Sequence, residues 1–364
     1  MLKNRFPKIA ITFAILGCLN AGQVFADTDR IGLIKAHAGS LQDTFPVADD
    51  WSYNRLIRAI LYAQEAGSTA VIVLHKGRLV LEWGKTTLRG KSHSVRKSLL
   101  SALYGIAVEK NKIDLTATLA QIGINDRPPC LTETEKTATI KDLLKARSGV
   151  YHRAAAESEY MRRRRPSRGA FAPGEHWYYN NWDFNVLGTI FERKTNLPMG
   201  EAFKHWIADP IGMQDFRVED VHYYWETVSI HPSIPFWISA RDLARFGQLY
   251  LQKGKWENKQ VISAAWINES TTSYSKTGDG GYGYMWWIQS SGAYYADGYK
   301  GQKVLVIPDR QIVIVNSVYT GTPIYTRLLS ELTDVVMQLS PLVDPVDKIE
   351  FNRIVELILE AAPK

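Results

Sequence analysis

Residues 69–84, Thr-Ala-Val-Ile-Val-Leu-His-Lys-Gly-Arg-Leu-Val-Leu-Glu-Trp-Gly, read as two apolar strands around a turn at His75-Lys76-Gly77-Arg78, with a stop at Gly84. This hairpin decides the fold, because strand character disappears after it and returns only near the C-terminus. Upstream, residues 51–66 set Leu56, Ile60 and Ala63 on one helical face, and Gly67 ends that helix. From about 94 to 250 helical periodicity dominates, over 94–110, 139–146, 184–194, 200–208 and 240–252. After 280, GYGYMWWIQ, a stretch ending Tyr294-Tyr295-Ala296, QKVLVIP and QIVIVNSV follow one another across Gly or Pro-Asp-Arg turns, the pattern of an antiparallel meander. Two helices, about 323–338 and 349–361, close the chain. The expected class is α/β (α+β): an antiparallel sheet built from both chain ends, flanked by helices, with an inserted mainly helical subdomain. The sheet part would span about 50–90 and 265–364, the helical part about 91–264, with the site in a cleft between them.

The chain has 364 residues, 45% of them hydrophobic, ample for a large core. Residues 1–26 read as a secretory signal peptide. Lys3, Arg5 and Lys8 precede an apolar run from Ile9 to Leu19 that is too short to span a bilayer, and Val24-Phe25-Ala26 offers the cleavage site. The mature chain, 27–364, is then expected as one catalytic domain, periplasmic or secreted, with no stable membrane span after signal removal. The alternative is lipid attachment at Cys18 within Ile15-Leu16-Gly17-Cys18. The leader holds three cations and no anion, so its removal lowers the formal charge from +7 to +4. That small excess does not point to nucleic acid. Arg162-Arg163-Arg164-Arg165 reads as a solvated loop, or else as a contact for an anionic substrate or the cell envelope. Only Cys130 remains after cleavage, so no internal disulfide can form. The sequence carries no G-x-S-x-G, no H-E-x-x-H, no Cys/His cluster and no phosphate-binding glycine loop, so neither metal nor cofactor is expected.

Ser94-Val95-Arg96-Lys97 opens the helix after the hairpin. Positions i and i+3 share a helical face, so the Lys97 amine can reach the Ser94 hydroxyl. A serine hydroxyl is a poor nucleophile until a base takes its proton, and a lysine serves when burial and positive neighbours lower its pKa. The four residues alone also fit an N-cap serine. The pattern recurs at Ser273-Tyr274-Ser275-Lys276, in a polar, Gly-bounded loop.

A second element stands at 171–193, FAPGEHWYYNNWDFNVLGTIFER, where Tyr179-Asn180-Asn181 precede a helix with Phe184, Leu187, Gly188 and Phe191 on one face. Pro-Gly-x-x-aromatic-x-Tyr-x-Asn, then seven residues ending in Leu-Gly, resembles the second motif of the class C β-lactamase and D-Ala-D-Ala carboxypeptidase group. VEKNKIDLTATL, TIKDLLKARSG, SARDLARFGQLYLQKGKW and VISAAWINES resemble other segments of the same family, in the same order, over roughly 50–320. What the resemblance implies is two-step acyl transfer. Ser94 would attack the carbonyl, and Tyr179, as a phenolate stabilised by Lys97, would carry the proton to the leaving group. Asn181 would orient Lys97 or bond the substrate's acyl amide. The backbone N–H groups of Ser94 and Tyr299 would form the oxyanion hole.

The family's third motif, Lys- or His-Thr-Gly, is where this sequence departs. Lys276-Thr277-Gly278 precedes GYGYMWW, the wrong side for the family order. Counting back from QKVLVIP puts the third-motif strand at 295–302, with Gly298 at the glycine position and Ala296 where the cation should stand. A missing charge-assisted bond to a substrate carboxylate is worth about 1.5–3 kcal/mol. The expected partner is therefore a small-molecule or peptide-like ester or amide substrate. β-Lactamase or D,D-carboxypeptidase action on cell-wall peptides is the alternative, and a non-catalytic envelope-binding member the third. Lys300 or one of Arg162–Arg165 is the candidate replacement for the cation. Trp177, Trp182, Trp237, Trp286 and Trp287 read singly as core and together as an aromatic-walled cleft. His152 and His231 lack a triad partner and read as structural.

Overall fold

Strand pairing joins the two ends of the chain. The computed structural model describes residues 51–278, 280–320 and 346–363. The segment 1–26 read as a signal peptide and the helix expected at 323–338 lie outside them. Its main sheet has eight strands: β1 (Ala70–His75), β2 (Arg78–Gly84), β3 (Ser275–Thr277), β4 (Gly280–Tyr282), β5 (Trp287–Gln289), β6 (Tyr294–Gly298), β7 (Gln302–Ile307) and β8 (Ile312–Ser317). Their order is β2-β1-β8-β7-β6-β5-β4-β3, every neighbouring pair antiparallel. The N-terminal hairpin docks on the last strand of the meander, with Ala70 opposite Ser317 and His75 opposite Ile312.

Alternation along these strands builds two cores, because successive side chains point to opposite faces. Val71, Val73, Leu305, Ile312 and Ile314 face helices α1 (Tyr53–Glu65) and α5 (Val346–Ala361). Ile72, Val304, Val306, Val313 and Val315 face the helical part of the chain. That part includes α2 (Arg96–Glu109), α3 (Asn181–Thr195) and α4 (Ala240–Leu251). α4 lies directly on the sheet, and a Cβ at Gly247 would stand 2.5 Å from Val313 Cγ1, so glycine permits the approach.

Two expectations are refined. GYGYMWWIQ is interrupted rather than one strand, because the chain turns inward at Met285 (φ 61°), whose N–H reaches Leu144 O and whose carbonyl accepts Ser98 Oγ–H. The helix expected over 200–208 is α-helical at Met199–Phe203 and widens into a π turn at Lys204–Ala208.

Candidate active site

Ser94 sits in a 3-10 turn, His93–Val95, that leads into α2. One turn on, Lys97 Nζ lies 2.8 Å from Ser94 Oγ and 2.5 Å from the Tyr179 hydroxyl. Tyr179 comes from the turn before α3, which Asn180 caps by accepting the Trp182 N–H at 3.1 Å. Residues 94, 97 and 179, separated by 82 positions between the last two, thus meet at one point. The N-cap reading of Ser94 does not hold: Val95 occupies that position and no side chain caps the helix. Lys97 is only 2% exposed, with its ammonium 4.3 Å from the Tyr179 ring centre and 4.7 Å from that of Phe184.

Burial drives the Lys97 pKa well below that of an ordinary lysine; the Arg96 charge pushes the same way and Asp297 opposes. Burial also raises Tyr179, against the hydrogen bond from Ser94; Asp297 adds to the rise and Arg96 opposes it. Both shifts act in one sense, disfavouring the ammonium on Lys97 and the phenolate on Tyr179. The family resemblance implies a phenolate on Tyr179; burial of the pair favours the phenol instead.

Asn181 begins α3, and its Nδ2 donates to Ala156 O at 2.6 Å, while its Oδ1 is buried with no hydrogen-bond partner among the described residues. It makes no bond to Lys97 here, and its Oδ1 and second Nδ2 hydrogen are uncommitted among the described residues. β6 ends at Gly298, pressed against the nucleophile turn: a Cβ there would stand 2.8 Å from Ser92 O. Tyr299 is not on that strand but in a tight turn with Lys300 at φ 60°, and its half-exposed ring stands 5.5 Å from that of His93. Ala296 is fully buried, and no cation replaces it on its own strand. Its neighbour Asp297 is held by Lys303 Nζ at 2.5 Å. Lys276 is exposed on the edge strand β3, with β4 and β5 between it and β6. The arginine run is engaged locally: Arg162 and Arg163 with Glu159, Arg165 with Glu157, and Arg164 with the Tyr160 hydroxyl.

The tryptophans divide. Trp182, Trp237 and Trp286 are core, whereas half-buried Trp177 and Trp287 join Tyr179 and Tyr282 in a wall with ring centres 5.1–6.1 Å apart.

Two buried carboxylates went unnoticed in the sequence. Asp126 gathers the N–H groups of Arg127 and Ile230, Trp182 Nε1 and Ser229 Oγ. His152 and His231 belong to this node, each bonded to a backbone carbonyl of 125–127, so their structural reading fits. Asp183, the third residue of α3, accepts Ser148 Oγ–H and Asn180 Nδ2–H on one oxygen, while the other has no partner among the described residues. Burial raises the Asp183 pKa well above the usual carboxylate range. Such a group weighs on stability increasingly as pH climbs from about 3.9 toward its folded-state value, and not below. Asp183→Asn, which keeps both accepted bonds, is expected to raise the melting temperature by a few degrees at about pH 8 and to leave it unchanged at about pH 4. Calorimetry at the two pH values checks it.

The profile of the β-lactamase family matches residues 53–323, and the chain belongs to that family. It is similar to a putative 6-aminohexanoate-dimer hydrolase from Bacillus anthracis, with TM-score 0.58 and 21% identity over 85% of this chain and 90% of that one. It is also similar to the penicillin-binding protein from Bacillus halodurans, with TM-score 0.56 and 16% identity over 76% of this chain and 99% of that one. At these identities the likeness speaks to the fold alone. Over 81 residues the chain is 33% identical to esterase EstB of Burkholderia gladioli, a match spanning 22% of this chain and only a fifth (20%) of the esterase. No helix among the described residues is long and apolar enough to cross a membrane.

Proposed function

We propose that this is an exported serine hydrolase that cleaves an ester or amide through an acyl-enzyme on Ser94. The observation that carries the reading is the buried Lys97 amine, 2.8 Å from Ser94 Oγ and 2.5 Å from the Tyr179 hydroxyl, with burial favouring its uncharged form. As Oγ adds to the carbonyl carbon, the Lys97 amine takes its proton. The oxyanion meets the N–H groups of Ser94 and Tyr299. Tyr179 O–H protonates the departing oxygen or nitrogen and is itself reprotonated from the Lys97 ammonium. Water then enters by the same relay, and the ester on Ser94 is hydrolysed.

An ester or amide substrate accords with what the esterase and dimer-hydrolase relatives are named for. Ala296 weighs against a β-lactam or peptide carboxylate, and the assembled triad against a non-catalytic role. Export rests on residues 1–26, with 27–364 as one catalytic domain. The test is labelling with a fluorescent fluorophosphonate beside a fluorescent penicillin. Labelling of Ser94 by the phosphonate alone is expected. Labelling by both would turn the reading to a penicillin-recognising enzyme, and labelling by neither would refute catalysis at Ser94.

A further inference from the structure

Arg96 is the one charged residue of Ser94-Val95-Arg96-Lys97 that the acyl-transfer scheme leaves idle. Its side chain is buried, 6% exposed, and among the described residues no carboxylate lies within ion-pair distance of it. Nη2 donates to Asn185 Oδ1 at 2.9 Å. Asn185, buried one turn beyond Asn181 on α3, passes the link on through Nδ2 to Ala155 O at 3.0 Å. Asn181 holds the next carbonyl, Ala156 O, at 2.6 Å. Arg96 therefore ties the nucleophile helix to the Tyr179 helix and to the segment both asparagines grip. A neutral side chain could make that tie without burying an uncompensated charge, which is strongly unfavourable on its own.

We infer that Arg96 is a positioning residue whose unpaired buried charge keeps the adjacent Lys97 amine free to accept the Ser94 proton. The inference rests on the serine-hydrolase reading above. The groups that face Lys97 agree with it. Arg96 on its own helix disfavours the ammonium, and Asp297 of β6 favours it, tempered by the Lys303 of β7 that holds Asp297. Burial favours the neutral phenol of Tyr179, and His93 stays neutral, its pKa pushed down to about 3 by burial with the Lys91 and Lys300 charges near it.

The test compares Arg96→Met, Arg96→Lys and Asn185→Asp, reading the fluorophosphonate labelling rate of Ser94 by intact mass against pH. Arg96→Met is expected to move the acid limb up by about one pH unit, a tenfold rate loss on that limb, while the alkaline plateau changes less than about threefold. Asn185→Asp should do the same by giving the guanidinium a counter-charge, and Arg96→Lys should restore the wild-type limb. Unmoved limbs in Arg96→Met and Asn185→Asp would overturn the inference, as would Arg96→Lys displaced as far as Arg96→Met. Should Arg96→Met not fold, the near-isosteric Asn185→Asp carries the test. If wild type is not labelled at all, the hydrolase reading fails. The titration of the Lys97 13Cε resonance, assigned by its loss in Lys97→Met, then still reads whether Arg96 controls that charge.

Discussion

Ser94→Ala is expected to lower nitrophenyl-ester hydrolysis by at least about a hundredfold, because removing a nucleophile typically costs orders of magnitude in rate. Its fold should be untouched: the bond that Ser94 Oγ accepts comes from Lys97, and the helix it precedes needs no side-chain cap. Ser273→Ala is the matched control. Ser273 shares the Ser-x-x-Lys spacing but bonds only locally, to Ser275 O, beside the edge of the sheet, so no rate change is expected. Initial rates of the three proteins at equal concentration decide the point. Equal rates for wild type and Ser94→Ala would mean that the wrong hydroxyl had been chosen. The pH dependence follows from the two shifts at the site. With Lys97 depressed and Tyr179 raised, activity should fall on the acid side as Lys97 takes up a proton, at a pH below that at which an ordinary lysine titrates.

The parts of the fold legible in the sequence are those governed by short-range periodicity. Alternation in 69–84 and in the meander placed the strands, and the paired sheet follows from their positions at opposite ends of the chain. Gly-bounded interruptions were harder. Nothing local in GYGYMWWIQ announces that Met285 must turn inward to meet Leu144 and Ser98, residues more than 140 positions away. At the site, the Ser94–Lys97 contact is readable because i and i+3 lie on one helical face. The contact of Lys97 with Tyr179 was readable only through the family likeness, since no local rule joins positions 97 and 179. The protonation states were out of reach, because they depend on desolvation by residues spread along the chain. Buried Arg96 and Asp183 read in the sequence as ordinary charged residues on helices. That Arg96 has no counter-charge and Asp183 one oxygen without a partner, among the described residues, appears only once α2 and α3 are packed together.

Asp126→Ala is expected to destabilise the fold by about 3–5 kcal/mol, lowering the melting temperature by roughly 10 °C. The carboxylate is 5% exposed and takes two donors on each oxygen. The N–H groups of Arg127 and Ile230 reach Oδ1 at 2.7 and 2.8 Å, while Trp182 Nε1 and Ser229 Oγ reach Oδ2 at 2.7 and 2.6 Å. Burial alone would raise its pKa, but these four donors outweigh it and hold the group below its ordinary value. A depressed carboxylate contributes stability that is present above the unfolded-state pKa and lost as pH falls through the folded-state value. The penalty of Asp126→Ala should therefore be full near neutrality and shrink in acid. Asp126→Asn distinguishes this account from simple loss of volume. Its NH2 must face one pair of donors whichever way the amide turns, so it should be nearly as damaging as alanine despite its shape. The consequence reaches the site, because Trp182 lies three residues beyond Tyr179 and is fully buried at the start of α3. Loosening that anchor frees the turn that aims the phenol at Lys97. Slower Ser94 labelling at temperatures where both variants remain folded is the expected sign of it, and an asparagine variant as stable as wild type would sink the argument.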